Sequence, residues 1–214
     1  MGILTKILRP VFRNAARPSG PVGRVFLAMM NRGHTPLSKW GLARLETGPD
    51  FHVLDIGCGG GKNIARLLER IPLGKVFGLD ISPTSVKASV SLNRKAVLDG
   101  RADIRQGGSD GIPWPDGSFD AVTAFETVYF WPDWPASFAE VRRVLKQGGT
   151  FLICNSSTRT LSQGPSAGFW TEVVDLKDPP SEEICEALDE AGFGNIFTEA
   201  REGGGMVLRG VAAG

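Results

Sequence analysis

The chain has 214 residues, 42% of them hydrophobic and 22% charged, with a formal net charge of +1. That length can bury a full core as one domain, and no apolar run is long enough to span a membrane. Near-neutral charge without interleaved aromatic and basic residues argues against a nucleic-acid platform.

The charge is unevenly spread. Residues 1–45 hold eight Lys or Arg and no acid, which leaves about −7 for the rest. Such a leader suits phosphates, a membrane surface, the acidic face of its own domain, or solvent. Within it, Ile3, Leu4, Ile7, Leu8, Val11 and Phe12 alternate with Lys6, Arg9 and Arg13 in an amphipathic pattern, so weak membrane-surface contact stays open. After Arg17-Pro18-Ser19-Gly20-Pro21 a helix is predicted over Val22 to Met30. A break follows across Asn31 to Pro36, and a short helix over Leu37 to Leu45. Val22, Val25, Phe26, Met29 and Met30 form an apolar stripe that needs a partner surface, either as a lid on the main domain or against a second subunit. Monomer and homodimer therefore both remain open. The division expected is 1–48 for the basic helical segment and lid, and 49–214 for the main domain.

From Phe51 the pattern alternates. Strands are predicted at 51–56, 75–80, 101–106, 118–125, 149–155, 194–200 and 205–211, and helices at 61–70, 83–97, 135–146 and 181–191. Several strands are near-continuous apolar runs, as in a parallel sheet covered on both faces. Only Arg201 to Gly204 separate the last two strands, too few residues for a crossover helix, so these form an antiparallel hairpin. The three cysteines make no CxxC pair, and His34 and His52 alone give a zinc site little to draw on, so no metal is expected. Cys58 and Cys154 lie in or beside strands, as buried thiols do in a reducing compartment. No apolar segment with a small-residue cleavage site accompanies them, and a cytoplasmic location is expected.

The first strand enters Gly57-Cys58-Gly59-Gly60-Gly61, and a helix resumes at once. Glycines there permit positive φ and let a ligand approach the backbone, ahead of a helix N-terminus with unpaired N–H groups. The second strand ends in Asp80, 19 residues beyond Gly61, a spacing that suits a carboxylate on a ribose. Arg142, Arg143 and Lys146 close a helix, where cations complement the dipole.

Taken in order, DIGCGGGKN at 55–63, GLD at 78–80, GIPWPDGSFDAV at 111–122 and RRVLKQGG at 142–149 resemble the class I S-adenosylmethionine-dependent methyltransferases, specifically the small-molecule "type 11" and quinone-biosynthesis branch. The resemblance covers about residues 50–211. It implies an α/β, doubly wound, mostly parallel seven-stranded sheet of order 3-2-1-4-5-7-6, with strand 7 antiparallel, helices on both faces and an N-terminal helical lid. The cofactor implied is S-adenosyl-L-methionine. Asp55, Gly57, Cys58, Gly59 and Gly61 would surround its methionine and ribose part. Asp80 would accept the ribose hydroxyls, Ile81 would lie against adenine, and Ser109 and Asp110 would meet the adenine edge. Gly107-Gly108 stands where many relatives carry an acid, so the adenine contact falls to Asp110 or to backbone. Phe125 at the end of strand four is a further cofactor-side residue.

Glu126 and Tyr129 follow that strand on the methyl-transfer side. Glu126 either orders its loop by accepting backbone N–H groups or contacts cofactor or a basic acceptor. Met30-Asn31-Arg32-Gly33-His34 and Trp40-Gly41-Leu42 match elements of close relatives, which makes His34 the candidate for acid–base work or acceptor positioning. Trp170 is a further candidate pocket wall. The expected function is methyl transfer to a small-molecule acceptor. A protein methyltransferase and a non-catalytic cofactor-binding partner remain as alternatives.

Overall fold

The computed structural model describes residues 17–156, 180–202 and 204–213, with the side chain of Phe26 outside that description. Seven strands form one sheet: β1 (His52–Ile56), β2 (Lys75–Asp80), β3 (Ala102–Gln106), β4 (Phe119–Phe125), β5 (Leu145–Asn155), β6 (Phe193–Ala200) and β7 (Met206–Ala212). Their order is β3-β2-β1-β4-β5-β7-β6. The pairs β1–β2, β2–β3, β1–β4 and β4–β5 are parallel, and β7 runs antiparallel to both β5 and β6. The expected order and hairpin are both present.

Alternation along each strand assigns its side chains to two layers. Leu54, Leu79, Val122, Phe151, Ile153 and Leu208 join the core of one face. There they meet α6 (Trp134–Val144) through Phe138 and Val141, and α7 (Ser181–Glu190) through Ile184 and Leu188. The other core joins Val53, Val76, Ala121, Leu152, Cys154 and Val207 to α3 (Lys62–Arg70) through Ile64 and Leu67. Burying a side chain such as Leu67 contributes about 2 kcal/mol, and most of the sheet is covered this way on both sides.

The N-terminal helices α1 (Gly20–Gly33) and α2 (Thr35–Leu42) lie on the α3 side. Four features hold them there. Arg44 makes a two-point ion pair with Glu199 on β6, its Nε lying 2.6 Å from Oε2. Arg70 of α3 donates to the carbonyls of Leu42 and Leu45. Leu37 and Leu42 are buried in the α3-side core. Finally, the Ser82 hydroxyl donates to the Pro18 carbonyl.

Several local expectations need correcting. Asn31 to Pro36 is no loop: α1 runs through Gly33, and His34 alone separates it from α2, whose first turn accommodates Pro36. Of the apolar stripe of α1, Met30 is half-buried on the cavity wall, and three residues face outward. Val22, Val25 and Met29 are 49%, 60% and 63% exposed, and Leu27 is the residue buried against the body. The helix over 83–97 divides at Asn93 into α4 (Pro83–Leu92) and α5 (Arg94–Leu98). Asn93 donates through Nδ2 to the carbonyls of Gly61 and Ser89, tying the break to the glycine turn. Finally, α6 stops at Val144 and Lys146 belongs to β5.

No helix among the described residues is long and apolar enough to cross a membrane. The amphipathic stretch at 3–13 and Trp170 lie outside the described residues.

Candidate active site

The strand order reverses between β1 and β4, and a crevice opens beyond the carboxyl ends of parallel strands at such a point. Here it is a cavity of about 380 Å³, floored by the glycine turn and roofed by α1 and α2. Gly57 adopts φ +72°, and a Cβ there would lie 2.3 Å from Thr127 Oγ1, so the turn tolerates only glycine. A Cβ at Gly60 would meet Asn31 Nδ2 at 2.3 Å, which shows how closely α1 sits on the turn. The turn is held from within. Leu79 O accepts from the N–H groups of Gly57 and Cys58, at 2.7 and 3.1 Å.

Asp80 completes the floor. Its Oδ2 accepts from Gly59 N–H at 2.9 Å and its Oδ1 from Ser82 N–H at 2.8 Å, so the carboxylate couples the glycine turn to the start of α4. Burial raises its pKa, opposed by these two bonds and by the neighbouring Ser85 hydroxyl. An ionised carboxylate offers about four acceptor sites, so hydroxyl donors can still be received. Ser85, on the same wall, has a buried hydroxyl without a well-formed hydrogen bond. A hydroxyl close to an acceptor-rich carboxylate, neither engaged to capacity, suits a polyhydroxylated ligand.

Asp55 is placed differently. The β1–β4 register pairs it with Thr123, so both side chains leave the sheet on one face and the Thr123 hydroxyl donates to Asp55 Oδ1 at 2.8 Å. The carboxyl is 2% exposed and does not reach the described cavity wall. Burial pushes its pKa up to about 7, with Thr123 opposing and Asp80 adding to the rise.

Other predicted residues separate in the same manner. Gly57, Cys58, Gly59, Asp80, Ile81, Ser109, Asp110 and Phe125 all line the cavity, as do His34 and Glu126. Gly61 and Tyr129 do not. Gly61 caps α3 at φ +78°, and the Tyr129 hydroxyl donates to Glu126 Oε2 at 2.8 Å. Glu126 itself sits at φ +58°. Its Oε1 accepts from both the N–H and the hydroxyl of Ser156, the latter at 2.8 Å. Its carboxylate therefore orders the exits of β4 and β5. Ser109 exchanges a hydrogen bond with Ser137 at 2.8 Å.

The cavity also recruits residues that sequence reasoning passed over. Arg66 on α3 lines it, donating to Asn63 Oδ1 at 2.8 Å and to Thr35 Oγ1 of α2 at 3.0 Å. Burial lowers its pKa, with Glu69 and Asp55 opposing. Lys62 is likewise new to the wall, which it shares with Met30 and Asn31 of the Met-Asn element and with Phe130 and Trp131, aromatics after β4 expected to face the methyl-transfer region. One cavity thus joins a glycine turn, a buried acid at the end of β2, two cations and an aromatic side.

These features define an α/β domain of the Rossmann-like kind, with a nucleotide-type cofactor site at its switch point. Residues 54–153 match the model of the methyltransferase domain family. Over those residues, a little under half of its length, the chain is similar to the S-adenosylmethionine-dependent methyltransferases. It is 30% identical to the 2-methyl-6-phytyl-1,4-hydroquinone methyltransferase of Synechocystis over 190 residues, which is 87% of this chain and 56% of that protein. An O-methyltransferase of Aspergillus sclerotiorum is 27% identical over 163 residues, 75% of this chain and 61% of that protein. The chain thus spans less than two thirds of either relative. A methyltransferase structure from Aquifex aeolicus superposes with a TM-score of 0.74 at 17% identity, covering 87% of this chain and 97% of that one, a likeness of fold.

Proposed function

We propose that the protein transfers the methyl group of S-adenosylmethionine to a small-molecule acceptor held beneath its N-terminal helices. The observation that carries this reading is the continuity of one cavity from Asp80 and the glycine turn to Phe125, Phe130, Trp131 and His34. The hydroquinone named for the Synechocystis relative supports an acceptor of this size class.

When bound, the cofactor supplies an electrophilic methyl group on a sulfonium. In this reading Asp80 accepts from the ribose hydroxyls while keeping its bond to Gly59, and Ser85 gains a partner. Ile81 packs on the adenine, and Ser109 and Asp110 meet its edge. Arg66 and Lys62 neutralise the carboxylate of the amino-acid end. Residues 22–45 act as a lid that excludes water, so orientation and desolvation supply most of the rate advantage. His34, on the wall of the same cavity, takes a proton from an acceptor hydroxyl. Glu126 and Tyr129 hold the β4 loop in place, Tyr129 acting through Glu126. Buried free thiols at Cys58 and Cys154 fit a cytoplasmic setting.

The test is a panel of phenols, hydroquinones, thiols, carboxylic acids and peptides, read by formation of S-adenosylhomocysteine. Turnover confined to small hydroxylated acceptors is expected. Methylation of peptides alone would redirect the reading to a protein methyltransferase. Cofactor binding with no turnover across the panel would leave a non-catalytic binding protein.

A further inference from the structure

The far flank of the lid helix borders a second groove, which shares Leu27, Asn31, Gly60 and Lys62 with the cofactor cavity. This groove encloses about 600 Å³ between α1 and α4, lined by Arg24 of α1, Lys87 of α4 and Lys62 at the start of α3. No carboxylate is among its described lining residues. Arg24, Lys62 and Lys87 have no hydrogen bond or ion pair to a described residue. Several cations elsewhere are paired: Arg44 rests on Glu199, Arg143 on Glu140 and Asp116, and Lys146 on Asp120. Arg24 and Lys87 are like charges facing one concave surface, with Lys62 on the rim shared with the cofactor cavity, and an anion seated between Arg24 and Lys87 removes the cost of their repulsion. Thr84 and Ser91 add hydroxyls to the wall, and Leu92 adds an apolar edge.

We propose that this groove binds a phosphate group carried on a partly apolar molecule, gripped between Arg24 and Lys87. A guanidinium fork and an ammonium together suit a phosphate better than a lone carboxylate. Arg24 rides on the lid and Lys87 on the body of the domain, so the bound phosphate pins α1 against α4. Asn31 and Gly60 border both this groove and the cofactor cavity, so pinning α1 also closes the roof of the cavity.

The experiment uses the full chain saturated with S-adenosylhomocysteine, so that the cofactor cavity is filled before any phosphate is added. Inorganic pyrophosphate is titrated by calorimetry. In parallel, the protein is sedimented with phosphatidylcholine vesicles containing about 30% phosphatidate, and with plain phosphatidylcholine. Saturable binding in at least one arm is expected, weakened about tenfold or more in Arg24→Gln/Lys87→Gln. It should be unchanged in Lys39→Gln/Arg94→Gln, which removes the same charge elsewhere. Pyrophosphate binding assigns the site to a soluble phosphate, and binding to phosphatidate vesicles alone assigns it to a lipid headgroup. No binding in either arm, or equal loss in both double variants, would overturn the proposal. The affinity for S-adenosylhomocysteine, measured first on every variant, tests the cofactor site separately.

Discussion

Asp55→Asn is expected to stabilise the protein at neutral pH, by an amount that depends on pH in a defined way. The wild-type carboxyl titrates near 3.8 when unfolded and near 7 when folded, chiefly because burial disfavours the anion. Below the lower value both states are protonated and the group contributes nothing. As pH rises from about 4 to about 7 the unfolded state ionises while the folded state keeps its proton, so stability falls. The slope is about 1.4 kcal/mol per pH unit, and the full cost, reached above pH 7, is about 4 kcal/mol. An asparagine still accepts from Thr123 through its amide oxygen but carries no charge to bury. Urea denaturation of both proteins at pH 5, 6, 7 and 8 should show the gap in stability widening by about 2 kcal/mol from pH 5 to 7 and levelling by pH 8. Parallel pH profiles would mean that Asp55 is already ionised in the folded state, and that its bond to Thr123 outweighs burial.

Other substitutions probe the rest of the site. Asp80→Ala should weaken S-adenosylmethionine by about 1.5–3 kcal/mol in calorimetry, since hydrogen bonds to a charged group are lost together with the brace on Gly59. Gly57→Ala should cost about 1–2 kcal/mol from its φ of +72° alone, and more from the contact with Thr127, read as a lower urea midpoint. An unchanged midpoint would show that the turn can relax. His34→Gln should cut kcat by about 10²-fold or more in steady-state assays while cofactor affinity, read by calorimetry, stays within about twofold. Equal loss of affinity would make the residue a wall and not a base.

How much of this was legible in the sequence depended on whether a residue's role is local. Strand periodicity, the four-residue link at 201–204 and the spacing of Asp80 from the glycine turn are local, and each reappears in the structure. Asp55 belongs to the same motif, yet its side chain follows Thr123, a residue 68 positions away that only the strand register brings alongside. Arg66 carries no signal in the sequence, being one of several arginines on amphipathic helices. It becomes notable only because α2 returns Thr35 to it. The continuity of α1 through Gly33 was hidden for a similar reason. Asn31-Arg32-Gly33 carries turn-forming residues, but Asn31 is pressed onto Gly60 and its carbonyl accepts from Thr35 Oγ1 at 2.8 Å, so tertiary contact overrides weak propensity. The exposed stripe of Val22, Val25 and Met29 is the converse, an apolar periodicity whose partner surface the described residues do not supply.

The pairing of Arg44 with Glu199 has a consequence for biosynthesis. Its two ends are 155 residues apart, and Leu37, Cys154 and Val207 meet in the same core. The N-terminal helices therefore meet Arg70 and Ser82 early but must wait for the last of their partners until β5, β6 and β7 have been made. At about 5–20 residues per second the wait is roughly 10–30 s. Through that interval a basic, acid-free segment has only solvent, nascent chain or the polyanionic ribosome to meet. The charge asymmetry of the leader is thus a feature of the growing chain as much as of the finished one: mutual repulsion among its cations opposes early collapse and keeps α1 and α2 available until the sheet that receives them is complete.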